Sequence, residues 1–141
     1  RRAGALLRRG AILALALLLP AAACSPSRDQ EAAAITAVMR GLFDKPGLPL
    51  DAGPVAVSGT HAVADWTQGA TGGRALLERR DGTWVIRLCS GDSLRDVTVL
   101  RAAGVPSSDA AAIATGLAEA ERSVSAERLK RMASFKGTVE M

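Results

Sequence analysis

The sequence predicts an α+β protein: an N-terminal helix, a four-stranded antiparallel β-meander, and two or three C-terminal helices packed on the sheet. Three observations predict it. The hydrophobic period is helical up to about position 43, alternates between positions 54 and 89, and is helical again from position 92. Because the strands follow one another without intervening helices, we expect an antiparallel sheet with the helices on one of its faces.

The first 23 residues have the pattern of a cleaved export signal. An apolar run at residues 11–19 is followed by three alanines at 21–23, and it is preceded by basic residues, Arg1, Arg2, Arg8 and Arg9. The run is shorter than the roughly 20 residues that a membrane span needs. We therefore predict a signal peptide at 1–23 and a periplasmic location.

Two interpretations of the cleavage site remain open at Cys24. Signal peptidase could cut after Ala23, or Cys24 could be lipidated as in bacterial lipoproteins, with residues 21–23 as a degenerate lipobox. Ala21 stands where a lipobox prefers leucine. A lipid would be the only membrane attachment that we expect. Residues 24–28 are predicted to be a short tether, and 29–141 a single domain.

Removal of the signal changes the charge of the chain. The whole sequence has a net charge of +4, but the part from Cys24 onwards has 14 basic and 14 acidic residues. Proteins that bind nucleic acid need a surplus of Lys and Arg on one face. The balance therefore argues against a nucleic-acid partner.

The N-terminal helix has a start signal and a stop signal. Ser27 and Gln30 have the spacing of a capping box, and Ile35, Val38 and Met39 follow at helical spacing. The stretch "DKPGLPLDAGP" contains three prolines and two glycines, which end the helix and lead into extended structure. These features predict a helix from about residue 29 to 43.

The four strands are predicted from alternation and from turn residues. The first strand alternates around Val55, and the third covers residues 74–80 before the hairpin turn Asp81-Gly82. Between the second and third strands, "GATGG" is predicted to be a turn. Two sets of residues are expected to share one face of their strand: Ala62, Ala64 and Trp66 in the second, and Trp84, Ile86 and Leu88 in the fourth.

The C-terminal part returns to the helical period. Asp92 or Ser93 is predicted to cap a helix that ends at Gly104, "VPSSD" to start a second helix, and Ser125 to start a third. The final "GTVEM" is compatible with an edge strand or with a frayed tail.

The glycines and the single histidine do not form a recognisable catalytic or binding motif. Gly69, Gly72 and Gly73 match neither a dinucleotide loop nor a P-loop, and we expect turns with positive φ there. His61 has no Cys or His at ligand spacing. The carboxylates are scattered, and no serine lies in a nucleophile elbow. We expect a protein that is not an enzyme.

Methionine, cysteine and histidine side chains are the candidate ligands for copper(I), which favours these donors. The candidates for such a site are His61, Cys89, Met39, Met132 and Met141. Met39 and Met132 lie on apolar helical stripes, where core packing is the usual role. A Cys24–Cys89 disulfide would tie the tether to a strand, so we expect Cys89 to be unpaired.

A second candidate site is a surface formed by the tryptophans. Trp66 and Trp84 are expected to face each other across the sheet, either as core residues or as the walls of an open concavity. In the latter case Trp66, Gln68, Arg74 and Trp84 would form a surface for a small ligand or a partner.

Three segments together resemble a known family. The segment W-T-Q-G-x-x-G-G-R-A-L-L, the turn L-C-S-G-D and the closing F-x-G-T-V-x-M resemble the copper uptake system-associated proteins, which are small exported bacterial proteins. The resemblance covers most of residues 24–141. It implies an accessory role in copper uptake, with copper as a candidate cofactor and a periplasmic copper chaperone or a membrane copper transporter as partner. It brings no ligand residues that map onto this chain.

An alternative function follows from the predicted shape. A helix followed by an antiparallel sheet is similar to cystatin-like and nuclear-transport-factor-like folds, which implies a small-ligand-binding module without a copper role. Fold similarity alone does not decide between the two functions.

Overall fold

A computed structural model describes residues 24–141, so the predicted signal peptide at 1–23 lies outside the described part. The α+β class is confirmed. Four α-helices occur, α1 (Arg28–Phe43), α2 (Val97–Ala102), α3 (Ser107–Ala120) and α4 (Ala126–Ala133), with 3-10 helices at Asp92–Arg95 and Glu121–Ser123. The strands are β1 (Asp51–Ser58), β2 (His61–Gln68), β3 (Thr71–Arg80), β4 (Thr83–Ser90) and β5 (Thr138–Glu140). Within residues 24–141, no helix has the length and apolar character that crossing a membrane requires.

Helix α1 begins as its sequence predicts. The Ser27 hydroxyl accepts a hydrogen bond from the Gln30 backbone N–H at 3.2 Å, and the Gln30 side chain accepts one from the Ser27 N–H at 2.8 Å. After the helix, the Asp44 carboxylate accepts a hydrogen bond from the Leu50 N–H at 2.7 Å. This bond folds the proline-rich loop back, so that β1 starts beside the end of α1.

The sheet has five antiparallel strands in the order β1-β2-β3-β4-β5, one more than the meander predicted from the sequence. The extra strand is the C-terminal segment, in which Val139 pairs with Cys89 and Thr138 with Ser90. Of the two interpretations of "GTVEM", the edge strand is therefore the one observed. β1 and β5 are the two edges of the sheet.

Helices cover both faces of the sheet, so the expectation of helices on one face was wrong. Ile35 and Met39 of α1 pack on one face, which we call the α1 face. Leu100 of α2 and Ile113 of α3 pack on the other, which we call the α3 face. The physical reason lies in the central strands, where Val63 and Leu76 make the second face apolar as well.

A β-bulge in β4 changes the predicted face of Leu88. Leu76 pairs with Leu88 whereas Leu77 pairs with Ile86, which leaves Arg87 as the extra residue. Leu88 therefore packs on the α3 face instead of joining Trp84 and Ile86. The same shift turns Cys89 towards the α1 face.

Two of the three predicted turn glycines lie inside a strand. Gly69 has a φ of +59° in the turn between β2 and β3, as expected. Gly72 and Gly73, however, belong to β3, and neither has a positive φ. They are required by close packing, because a Cβ at Gly72 would lie 2.9 Å from the Trp66 carbonyl oxygen and 3.1 Å from the Arg131 carbonyl carbon of α4.

The C-terminal helices differ from the prediction mainly at their start. The predicted helix from Asp92 or Ser93 is divided into a 3-10 turn and α2, and the cap of α2 is Asp96, whose side chain accepts from the Thr98 and Val99 N–H groups. The second predicted helix is α3. Ser125 caps α4 as expected, accepting from the Arg128 N–H at 3.2 Å.

Candidate functional site

A cavity of about 280 Å³ lies on the α1 face of the sheet. It is bounded by the end of α1, by β2 and β4, and by the chain that follows α4. Its lining is almost entirely apolar and consists of Phe43, Leu50, Trp66, Gln68, Cys89, Phe135, Val139 and Met141. The side of the cavity formed by the C-terminal segment reaches the surface, since Val139 is 49% exposed and Met141 is 61% exposed.

Gln68 holds the rim of the cavity in place. Its side-chain amide donates hydrogen bonds to the Phe43 carbonyl at 2.8 Å and to the Leu48 carbonyl at 2.9 Å. These two bonds fix the loop after α1 against β2. The side chain of Leu48, in the same loop, is 41% exposed.

Trp66 forms one wall together with Phe135. The two rings meet edge to face, with centroids 5.9 Å apart and planes inclined by 81°. Gly73 makes this contact fit, because a Cβ there would lie 3.0 Å from Trp66 Cζ2 and 3.1 Å from Phe135 Cδ2. The indole nitrogen Nε1 of Trp66 is buried and has no hydrogen-bond partner among residues 24–141.

Two of the five candidate copper ligands, Cys89 and Met141, line this cavity. Cys89 is unpaired, as is the exposed Cys24. Burial raises the pKa of the Cys89 thiol, so the protonated thiol is the form favoured at neutral pH. A soft cation bound there would have to displace that proton.

The other three candidates lie elsewhere. Met39, a residue of α1, belongs to the same apolar core as Cys89 but does not line the cavity, and Met132 is buried in α4. His61 lies on the α3 face at the start of β2, with Nδ1 3.3 Å from the Thr60 hydroxyl. In the strand register, His61 lies three residues along β2 from the residue that is level with Cys89. This separation corresponds to about 10 Å in the strand direction. The five candidates therefore do not form one cluster.

The predicted tryptophan surface is divided by the fold. Trp66 and Gln68 line the cavity. Trp84 lies on the same face, is 5% exposed, and packs beneath the Arg79 guanidinium, whose carbon is 5.4 Å from the ring centroid. Arg74 lies on the α3 face, because it pairs with Asp65 in the register that places Val63 and Leu76 there. Trp66 and Gln68 alone therefore remain as a shared ligand surface.

Arg74 is the centre of a buried ionic cluster that the sequence analysis did not identify. Its Nε donates to Glu121 Oε1 at 2.9 Å and lies 3.2 Å from Asp65 Oδ1. Its other nitrogens donate to Glu121 Oε1 at 2.8 Å and to Asp92 Oδ1 at 2.7 Å. Arg95 approaches Glu121 Oε2 at 3.2 Å from the surface.

Asp65 is the member of this cluster whose negative charge is compensated least. Its side chain is fully buried, and neither carboxylate oxygen has a hydrogen bond to any of the described residues. Burial and the nearby charge of Glu121 raise the pKa of Asp65 to about 7, against the opposing effect of Arg74. The sequence signal for the cluster is weak: Asp65 and Arg74 are single charged residues within the otherwise apolar stretches 62–66 and 73–77.

The cluster connects the sheet to the C-terminal helices. It joins Asp65 of β2 and Arg74 of β3 to Glu121, which follows α3, and to Asp92 after β4. The Arg74 and Asp65 side chains are inaccessible to solvent, and that of Glu121 is 3% exposed. Within residues 24–141, no three His, Cys, Asp or Glu side chains are grouped so that they could hold a metal ion. The cluster therefore fits a structural role, in which it holds the sheet against the C-terminal helices.

Comparison of the chain with protein-family models, with curated proteins and with solved structures found no match.

Proposed function

We propose that this protein is a non-enzymatic binding module, and that its ligand is a compact, mainly apolar molecule held in the cavity on the α1 face. The observation that carries the proposal is the cavity itself: eight residues line it, all apolar except Gln68 and the Cys89 thiol, and its C-terminal side reaches the surface. Pockets of this kind, with few polar groups in an apolar wall, are the usual form of small-molecule sites.

The volume of the cavity limits the size of the ligand. A buried apolar cavity of about 150 Å³ is enough for one benzene molecule. A volume of about 280 Å³ therefore accommodates roughly ten to twelve non-hydrogen atoms. This is at the small end of ligand sites, which favours a compact ligand over a long chain.

The side chains in the cavity wall favour binding over catalysis. The one titratable side chain in the lining is Cys89, and its raised pKa makes it a poor nucleophile near neutral pH. Acid–base catalysis would need a second ionisable group in the same cleft. The lining does not provide one.

As a probe of the size that the cavity accommodates we choose 1-indanone, a rigid and mainly apolar ketone. We predict that Val139→Phe, which enlarges a side chain at the exposed side of the cavity, weakens the binding of 1-indanone at least tenfold because it fills part of the cavity. The matched control is Val99→Phe, since Val99 is also partly exposed but lies in α2, away from the cavity. Isothermal titration calorimetry of the two variants and the parent protein measures the effect. Equal affinities of all three would contradict the assignment of the site.

A second candidate function is the accessory role in copper uptake, with the exported protein binding copper(I) in the periplasm beside a copper chaperone or transporter. It rests on the family resemblance and on one structural observation: the thiol of Cys89 and the thioether of Met141 belong to side chains that line the same cavity. Thiolate and thioether are the donors that copper(I) prefers.

For this second function we predict that Cys89→Ser and Met141→Leu each weaken copper(I) binding at least tenfold, because each removes one soft ligand. His61→Gln is the control, since His61 lies on the opposite face. A competition titration against a copper(I) chelator measures the affinities. If the parent protein binds copper(I) no more tightly than a variant that carries both Cys89→Ser and Met141→Leu, direct copper binding at this cavity is eliminated.

A further inference from the structure

We propose that Asp65 and Glu121 form a proton-dependent latch. One proton shared by their two carboxyl groups holds the 3-10 helix Glu121–Ser123 against the sheet, and release of that proton to water near neutral pH loosens this helix. The latch goes beyond the proposed function and does not depend on it. It starts from three buried oxygens, Asp65 Oδ1 and Oδ2 and Glu121 Oε2, which have no hydrogen-bond partner among residues 24–141.

Arg74 attracts Asp65 but does not donate a hydrogen bond to it. The Nε and Nη2 groups of Arg74 both donate to Glu121 Oε1, at 2.9 and 2.8 Å, and Nη1 donates to Asp92 Oδ1 at 2.7 Å. Asp65 Oδ1 lies 3.2 Å from Nε, but Nε carries a single hydrogen, which is directed to Glu121. Asp65 therefore has a cation nearby but no donor.

A proton is the donor that is missing. An ionised carboxylate can only accept hydrogen bonds, whereas a protonated carboxyl group can donate one. Asp65 Oδ1 and Glu121 Oε1 both lie against Arg74 Nε, so the two carboxyl groups are neighbours. Burial, the charge of Glu121 and a hydrogen bond with Glu121 raise the pKa of Asp65 to about 7, against the charge of Arg74. The pair therefore holds one proton below neutral pH and loses it above.

The other charged groups around the pair do not replace that proton. They come from every neighbouring element and are Arg74 of β3, Asp92 and Arg95 of the 3-10 helix after β4, and Arg128 of α4. Arg95 is 46% exposed, so water screens its charge. Arg128 lowers the pKa of Asp65, but its guanidinium donates to the Thr67 hydroxyl at 3.3 Å and to the Asp51 carbonyl at 3.1 Å. Without the proton, two ionised carboxylates remain buried beside one shared cation.

Glu121 is the member of the pair that can leave the cluster. Asp65 and Arg74 belong to the interior strands β2 and β3, whereas Glu121 lies at the junction between α3 and α4. The neighbouring side chains of this junction face the solvent, since Glu119 and Arg122 are 67% and 76% exposed and pair with each other. Repulsion between the ionised carboxylates is therefore relieved most easily by outward movement of this 3-10 helix.

Trypsin measures this movement, because it cleaves after Arg122 only when the segment opens. Initial rates at pH 6 and pH 8, with the fragments identified by mass spectrometry, are divided by the rate on an unfolded peptide with the same site. With a pKa of about 7 in the closed state, we expect the corrected rate to rise about tenfold between these pH values. Urea below the unfolding transition should leave the rate nearly unchanged, since a local opening exposes little surface.

Three variants separate the proton from the rest of the cluster. Asp65→Asn places an uncharged donor beside Glu121, so cleavage should be slow and equal at both pH values. Glu121→Gln removes the other carboxyl group and should also abolish the rise, which provides the test if Asp65→Asn does not fold. Asp92→Asn is the matched control: Asp92 pairs with the same Arg74 but is 56% exposed, so the tenfold rise should remain.

Side-chain carboxyl ¹³C spectra of the parent protein locate the proton directly. We expect one aspartate resonance that titrates near pH 7 and that is missing in Asp65→Asn. The latch is overturned if every carboxyl group titrates below about pH 5. It is also overturned if the parent's cleavage rate after Arg122 is equal at both pH values or increases with urea, or if Asp65→Asn retains the rise.

Discussion

Arg74→Met is expected to lower the free energy of unfolding by about 3–5 kcal/mol at pH 8, the range for breaking a buried ion pair by removal of one partner. The substitution roughly keeps the length of the side chain but leaves the carboxylates of Asp65 and Glu121 buried near each other without their shared cation. Urea unfolding followed by circular dichroism measures the loss. For a domain of this size the loss is a large part of the total stability.

Arg95→Met is the matched control for this prediction. Arg95 pairs with the same Glu121, but its side chain is 46% exposed, so we expect a loss below about 1 kcal/mol. If the two variants lose similar amounts of stability, burial of the cluster does not have the energetic role that its geometry implies.

Asp65→Asn is expected to change how stability depends on pH. In the folded protein the Asp65 carboxyl has a pKa of about 7, against an ordinary value of 3.8. Between these values the folded state holds a proton that the unfolded chain has released, so stability falls as the pH rises from about 4 to about 7 and is then constant. The Asp65→Asn variant has no carboxyl group at this position, so its stability does not show this decrease with pH.

The stability of Asp65→Asn relative to the parent should therefore increase by roughly 2–3 kcal/mol between pH 5 and pH 8. Unfolding curves at half-unit pH intervals measure this difference, and the contributions of groups common to both proteins cancel. Asp29→Asn, a change at an exposed position in the first turn of α1, controls for the loss of one negative charge. A difference that is flat with pH would show that Asp65 is ionised throughout the range.

The elements of the fold were largely predictable because local signals specify them. The capping box at Ser27, the hairpin at Asp81-Gly82 and the cap at Ser125 are all found where the sequence places them. The errors concern relations between elements. A bulge at Arg87 depends on how two strands pair, and β5 has only three residues, so neither has a strong local signal.

The candidate site was only half predictable for the same reason. Trp66 and Gln68 were predicted to belong to a ligand surface around the tryptophans, and both line the cavity. Phe135 comes from a segment far along the chain, and its contact with Trp66 depends on Gly73, whose role is visible only in the packed structure. Arg74 was assigned to the same surface, although its strand position puts it on the other face.

The measurement that most directly tests the central claim is the location of a bound molecule. Nuclear Overhauser contacts between 1-indanone and the methyl groups of the protein report which residues surround it. We predict contacts to Leu50, Val139 and Met141, which line the cavity, and none to Val99 in α2 or Ile113 in α3. Saturable binding with contacts on the α3 face instead would contradict the assignment of the cavity as the site.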